Sequence, residues 1–392
     1  MLSKKISKKV KELPISGIRA MLNICTGMKD VIDLVSGPRF TTPDYIVEAA
    51  KKALDQGYTN YTPNAGYTDL REAISEKLLK ENKMEFDPVS EIMVTAGVTE
   101  AFLYAILTTM EKGDEVVISD PTFTCYDPQI RFAGGVPIRI PVKEEDDFRL
   151  LPEEIEKAIS RRTRMILINT PANPTGAVLG RNDLEGIAEI AKRHDLLVLT
   201  DEIYEKFTYD GARHYSIASL PDMKDRTIPV NGPTKTYAMG GWRIGYVAAN
   251  KEIIEHMVKI QQNDSVCPCA VSQRAALAAL LGPEDYVRNM LSEYLRRREL
   301  MVSELNKVNG FRCKKPKGSF YAFPNISGTG MTSHNLAIFL IKAGVVTVPG
   351  SVFGQHGEDH LRISYALPTE PMEEAVKRIR CALEGFAQPR VG

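Results

Sequence analysis

Cysteine is scarce in this chain, with six in 392 residues, far below the density of a disulfide scaffold. Cys267 and Cys269 form one C-x-C pair with no second pair at zinc-finger spacing. All six therefore read as reduced thiols in a cytoplasmic protein, and no metal site is expected. Net charge is missing too. Fifty Lys and Arg balance fifty Asp and Glu, so no overall field draws the chain to nucleic acid or anionic lipid. No apolar run approaches the length that crosses a bilayer, and "MLSKKISKKVKELP" lacks the apolar core of a secretory signal. In that segment Leu2, Ile6, Val10 and Leu13 recur at helical spacing between lysines. They predict an amphipathic arm packing on a neighbouring surface, with no aromatic anchor for a membrane. There is no internal repeat and no low-complexity segment. A Walker A sequence and a G-x-G-x-x-G after a strand are both absent, so a nucleoside triphosphate or dinucleotide is not the expected ligand.

What is present is alternation. From about residue 90, short apolar runs ("EIMVTAG", "DEVVISD", "VPIRIPV", "RMILINTP", "DLLVLTDE", "TIPVNG", "RIGYVAAN") are separated in several places by helical patterns such as "NDLEGIAEIAKRH". Continuous apolar strands between helices predict an α/β protein, with a mostly parallel sheet covered on both faces. Beyond residue 284 a long helix, short strands and two further helices predict a smaller α+β domain. The expected division is a large domain over 44–284 and a small one built from 1–43 plus 285–392. In such sheets ligands bind outside the carboxyl ends of the strands. Asn169, Asp201 and Glu202 close two of the predicted strands there, and Lys235 follows a third.

Four stretches carry chemistry. In "PTKTYAMGGWRIGY", Lys235 lies between threonines and eight residues ahead of Arg243. A solvated lysine needs no such company. A lysine working beside an anion does, because Thr234 offers a hydroxyl and Arg243 a planar fork for phosphate oxygens. In "AGVTEAF", Val98 and Thr99 open a helix after a glycine, which is either an ordinary capped turn or an anion site of backbone N–H groups. In "NTPANPTGAV", turn chemistry alone accounts for Asn173 and its prolines, but not for their place at a strand end. In "LLVLTDEIYEKF", Asp201 is either a helix cap or the partner of a buried cation, with Tyr204 three residues on.

The order "NPTG", "DEIY", "TKTYAMGGWRIGY", "LRISYA" resembles the class I and II aminotransferases, the pyridoxal-phosphate enzymes of fold type I. The resemblance runs from "DLVSGPRFTTP" to the final helix. It implies that Lys235 holds the aldehyde of pyridoxal 5'-phosphate covalently. Thr234, Arg243, Val98 and Thr99 would bind its phosphate, and Asp201 would pair with the pyridine nitrogen. Asn173 and Tyr204 would bond the ring hydroxyl oxygen, and Phe123 would stack on the ring. It further implies that Arg362 grips the substrate α-carboxylate beside Asn173. Tyr61 would cross to the phosphate of a neighbouring subunit, which makes the protein a homodimer. Two departures stand out. "SGPRF" puts Ser36 or Gly37 where the family carries the glycine of a substrate-facing loop, and Gly232 stands where a phosphate-binding serine is frequent.

The implied activity is ping-pong transfer of an amino group from an L-amino acid to a 2-oxo acid. "LPISGIRAM" resembles the entrance segment of aspartate and aromatic aminotransferases, which leaves aspartate, aromatic or broad specificity open. A β-eliminating C–S lyase of the same fold is the alternative. A DNA-binding regulator is not expected, since only about thirty residues precede the fold. Arg39 is a candidate second carboxylate-binding group. The His194 of "KRHDLL", Trp242 and the run Arg296–Arg298 read as a loop residue, a packing residue and a solvated helix face.

Overall fold

The computed structural model describes residues 5–11, 13, 15–37 and 40–387, so Leu2, Pro38 and Arg39 lie outside the described residues. Seven strands form the central sheet: β1 (Ile92–Thr95), β2 (Glu115–Asp120), β3 (Val136–Pro141), β4 (Thr163–Asn169), β5 (Leu197–Asp201), β6 (Thr227–Asn231) and β7 (Gly245–Ala248). Each corresponds to one of the apolar runs in the sequence. Their order is β1-β7-β6-β5-β4-β2-β3. All neighbours run parallel except at β7, which is antiparallel to both β6 and β1.

Side-chain alternation explains the burial. Val116, Ile118, Met165, Leu167 and Leu199 join one apolar cluster with Phe102, Ile106 and Met257 from the helices Val98–Thr109 and Lys251–Asn263. Val117, Ile166, Ile168 and Val198 point the other way, onto Leu184 and Ile187 of the helix Arg181–Arg193. Both faces are dry, so both registers of each central strand must be apolar. The second cluster continues without a break into the C-terminal part, taking in Met301, Leu336 and Ile379. A short parallel pairing of Ile32–Asp33 with Val345–Val346 ties the N-terminal segment to that part. The strands Val348–Pro349, Leu361–Ser364 and Tyr321–Ala322 form a three-stranded antiparallel sheet there.

Among the described residues of the N-terminal arm, Lys8–Lys11 is helical, and Ile6 and Val10 are exposed on this chain. One reading of the sequence changes here. The arginine run is not a solvated face. Arg296 is exposed, but Arg297 and Arg298 are buried on the helix Glu284–Leu305. Arg298 pairs with Asp210 at 2.7 Å, donates to the carbonyl of Pro316 at 3.0 Å and stacks on Tyr209 at 4.7 Å. Met290, Tyr294, Arg298, Met301 and Leu305 share the inner face at helical spacing,. Arg298→Ala removes that packing and leaves the Pro316 carbonyl unpaired, for an expected stability loss of about 2–4 kcal/mol. Asp210→Asn should cost less because Asp210 is half exposed. Denaturation midpoints of the two variants check the order.

Candidate active site

The register of the sheet assembles the site. Asn169 pairs with Asp201, and Asp201 with Val230. The ends of β4, β5 and β6 are therefore level at one rim. A cleft of about 780 Å³ opens there, bounded on its other side by Arg362, Tyr321, Val352 and the segment from Ile15 to Leu22. Of the residues singled out from the sequence, Lys235, Asp201, Tyr204, Val98, Thr99, Phe123, Asn173, Thr234, Arg243, Arg362, Ser36 and Gly37 all line it. Tyr61 does not; it is 85% exposed on the outer surface.

Lys235 lies in the connection between β6 and β7 and is the only lysine on the cleft wall among the described residues. Its Nζ stands over the rings of Tyr204 (5.8 Å) and Phe320 (6.0 Å). Gly37 faces it, where a β-carbon would come within 3.7 Å of the amine. Asp201 is buried and accepts two hydrogen bonds, from the Tyr126 hydroxyl at 2.5 Å and from the Ile203 N–H at 3.1 Å. Burial pushes its carboxyl up to about 6, although both hydrogen bonds and the charge of Lys235 pull the other way. Burial, then the adjacent Asp201 charge, holds the Tyr126 phenol well above its ordinary range, so it is a fixed donor. Tyr126 is the last residue of "DPTFTCY", but its partner lies 75 residues away and no local pattern points to it.

At the other end, Gly97 precedes the helix Val98–Thr109 with φ of +94°. The N–H groups of Val98 and Thr99 are the first of that helix, where no carbonyl of the same helix can reach them. The Arg243 guanidinium packs against Gly97 so closely that a β-carbon there would sit 2.5 Å from it. Gly245 approaches Gly97 and Val98 in the same way, and a β-carbon on Gly232 would sit 2.9 Å from the Gly245 α-carbon. Gly232 thus has no room for the serine side chain common at that place. Thr234 donates its hydroxyl to the Ile244 carbonyl at 3.1 Å, which fixes the connection across its base.

Arg362, on the strand Leu361–Ser364, is buried. It donates to Asn173 Oδ1 at 3.1 Å and to the Val35 carbonyl at 2.9 Å, and lies over Tyr321 at 4.4 Å and Phe353 at 5.0 Å. Its Nε has no hydrogen-bond partner among the described residues. Burial draws this guanidinium below its ordinary value. A buried, incompletely satisfied cation is a receptor for a carboxylate. Asn173 is held in turn by its N–H to Asn169 Oδ1 at 2.8 Å. Tyr204 meets Tyr321 hydroxyl to hydroxyl at 3.2 Å. Burial, then that neighbour, keeps the Tyr204 phenol well above its ordinary range. Ser36 gives its hydroxyl to Asp33 at 2.5 Å, so it shapes its loop through that contact.

The other readings fall away from the cleft. His194 caps the helix Arg181–Arg193 and meets Glu156 at 2.9 Å. Trp242 donates to the Thr42 hydroxyl at 3.0 Å. Among the described residues, Glu202, Glu205 and His214 form a group compact enough for a metal ion, but the Lys77 ammonium already pairs with Glu205 and the Ser216 hydroxyl with Glu202.

Comparison with known proteins agrees with this geometry. The family model "Aminotransferase class I and II" matches residues 29–379. An aspartate aminotransferase of Pyrococcus abyssi is 49% identical over 94% of this chain and 95% of its own. An aromatic-amino-acid aminotransferase 2 of Thermococcus litoralis is 46% identical over 94% and 96%. The crystal structure of an aromatic aminotransferase from Pyrococcus horikoshii superposes with a TM-score of 0.89 at 48% identity, covering 94% of this chain and 99% of that one. No helix among the described residues is long and apolar enough to cross a membrane. The chain belongs to the class I and II aminotransferases and is an amino-acid aminotransferase of fold type I.

Proposed function

We propose that this aminotransferase binds pyridoxal 5'-phosphate in the cleft and moves amino groups between aspartate or aromatic amino acids and 2-oxo acids. The observation that carries the reading is convergence. One amine, one buried carboxylate and one buried guanidinium, from three separate parts of the chain, line a single cleft. Members of the family depend on pyridoxal phosphate, and the residues fit that group. Among the described residues, Asp201 is a buried acid with no cation hydrogen-bonded to it. The glycine-packed helix start beside Arg243 offers N–H groups and a guanidinium to one anion,.

Pyridoxal phosphate, when bound, supplies the electron sink for the pair left as a Cα–H bond breaks. The chain's own residues do the rest. Arg243, Thr234, Val98 and Thr99 would hold the phosphate, and Phe123 would cover the ring. Asp201 would keep a proton on the pyridine nitrogen, with Tyr126 fixing the carboxylate that does so. Asn173 and Tyr204 would bond the ring oxygen. Arg362 would grip the substrate α-carboxylate through Nε and its neighbouring N–H, turning Cα–H toward Lys235. Lys235 Nζ would hold the aldehyde carbon covalently until the substrate amine takes its place, and the freed amine would then carry the Cα proton as a positioned base.

The exposed Tyr61 supports a homodimer in which it reaches the partner's phosphate. The pairing of Ile32–Asp33 with Val345–Val346 supports a small domain of 1–43 plus 285–392 beside a large one of 44–284. Six free cysteines fit a cytoplasmic setting.

The test is incubation of the holoenzyme with amino acid alone, then with 2-oxoglutarate added. An aminotransferase stops after one transfer per site and resumes only with the acceptor. Continuous release of pyruvate and ammonia from a cysteine-type substrate would assign a lyase instead.

A further inference from the structure

Four cations line the cleft among the described residues, against one carboxylate. Resting on the roles just proposed, three have counterparts: Arg243 with the phosphate, Arg362 with the α-carboxylate and Lys235 with the aldehyde. Asp201 is matched by the pyridine nitrogen. Arg19 is left over. It is exposed at the cleft mouth, and its side chain makes no hydrogen bond or ion pair with the described residues.

Its position is built. The helix Gly17–Ile24 buries Met21 and packs Ile18 and Leu22 on the core. That arrangement leaves Arg19 free to face the opening. At its first residue the helix touches Val352 so closely that a β-carbon on Gly17 would sit 2.5 Å from that side chain. Val352 adjoins Phe353, whose ring lies 5.0 Å from the Arg362 guanidinium. One wall therefore presents two guanidinium groups, a buried one and an outer one beyond it. Such a pair matches a substrate with two carboxylates.

We propose that Arg19 is the specificity-determining residue that binds the distal carboxylate of a dicarboxylic amino acid such as aspartate or glutamate. The test is the half-reaction of holoenzyme with amino acid alone, comparing wild type with Arg19→Met, which keeps the stem and deletes the charge. The ratio of second-order rate constants for aspartate over phenylalanine is expected to fall by about 10- to 100-fold. Calorimetry gives a second readout. The wild type should bind succinate more tightly than butyrate, and Arg19→Met should lose that preference. An unchanged ratio, an equal loss on both amino acids, a retained succinate preference, or a wild type that reacts with phenylalanine and not with aspartate or glutamate would each overturn the assignment. A wild type that reacts with no amino acid would instead sink the reading of the site as a whole.

Discussion

Replacing Lys235 with alanine is expected to lower amino transfer by about 10⁴-fold, at the upper end of what a positioned base contributes. It should also leave the protein unable to hold its cofactor covalently. The geometry makes this the sharpest test of the site. Lys235 is the only lysine on the described cleft wall, so no neighbouring amine stands ready to substitute. Lys235→Arg separates charge from nucleophilicity, because a guanidinium keeps the cation but stays protonated and attacks no carbonyl. Both variants should be equally inactive. After borohydride treatment, the wild type should carry the added mass on the peptide containing Lys235, and the variants none. Mass on another lysine, or sustained turnover in Lys235→Ala, would disprove covalent chemistry at this position.

Asp201→Asn should show a divided result, with activity down by about 10³-fold and the cofactor-free protein more stable at neutral pH. The sign follows from burial. The folded carboxyl is pushed up to about 6, above its ordinary unfolded value of about 3.9. Its favourable contribution is complete below the unfolded value and is lost as pH rises through the folded one. At pH 7.5 the buried charge therefore costs about 3 kcal/mol. An amide avoids most of that cost, though it gives up one of the acceptors used by Tyr126 and Ile203. Melting of cofactor-free wild type and variant at pH 7.5 and pH 4.5 checks it. The variant should lead at the higher pH and lose its lead at the lower. An equal difference at both pH values would mean that ionisation of Asp201 is not what is stored there. Activity and stability pull apart at such a residue because a carboxylate that is costly to bury is the one proposed to act on the cofactor.

All seven strands of the sheet were legible because a strand buried on both faces leaves an apolar run that nothing else in a soluble chain needs. The site was legible where short motifs end those runs: "NPTG", "DEIY" and the lysine-to-arginine stretch each fall at the rim. What the sequence hid is what depends on distant partners. Tyr126 acts on Asp201 across 75 positions, and Tyr321 meets Tyr204 across 117. Neither contact has a local signature. Arg298 is a different kind of miss. Its spacing from Tyr294 and Leu305 already marked the inner face, but three adjacent arginines read as a charge block. Arg19 was passed over because a lone arginine on a short N-terminal helix gains meaning only when the fold brings it into the same cleft as Arg362.

The reversed strand β7 has a mechanical consequence. Because β7 runs against β6, the connection between them turns back at the rim, and Lys235 and Arg243 both belong to it. The two grips proposed for the cofactor are thus tethered to each other by eight residues of one hairpin connection, pinned across its base by Thr234 and Ile244. Arg362 and Arg19 belong to the opposite wall. If that wall shifts to admit or enclose a substrate, the span between amine and anion holder does not change. The spacing of the proposed cofactor grips is thus set within one connection, separately from the wall that carries the proposed substrate contacts.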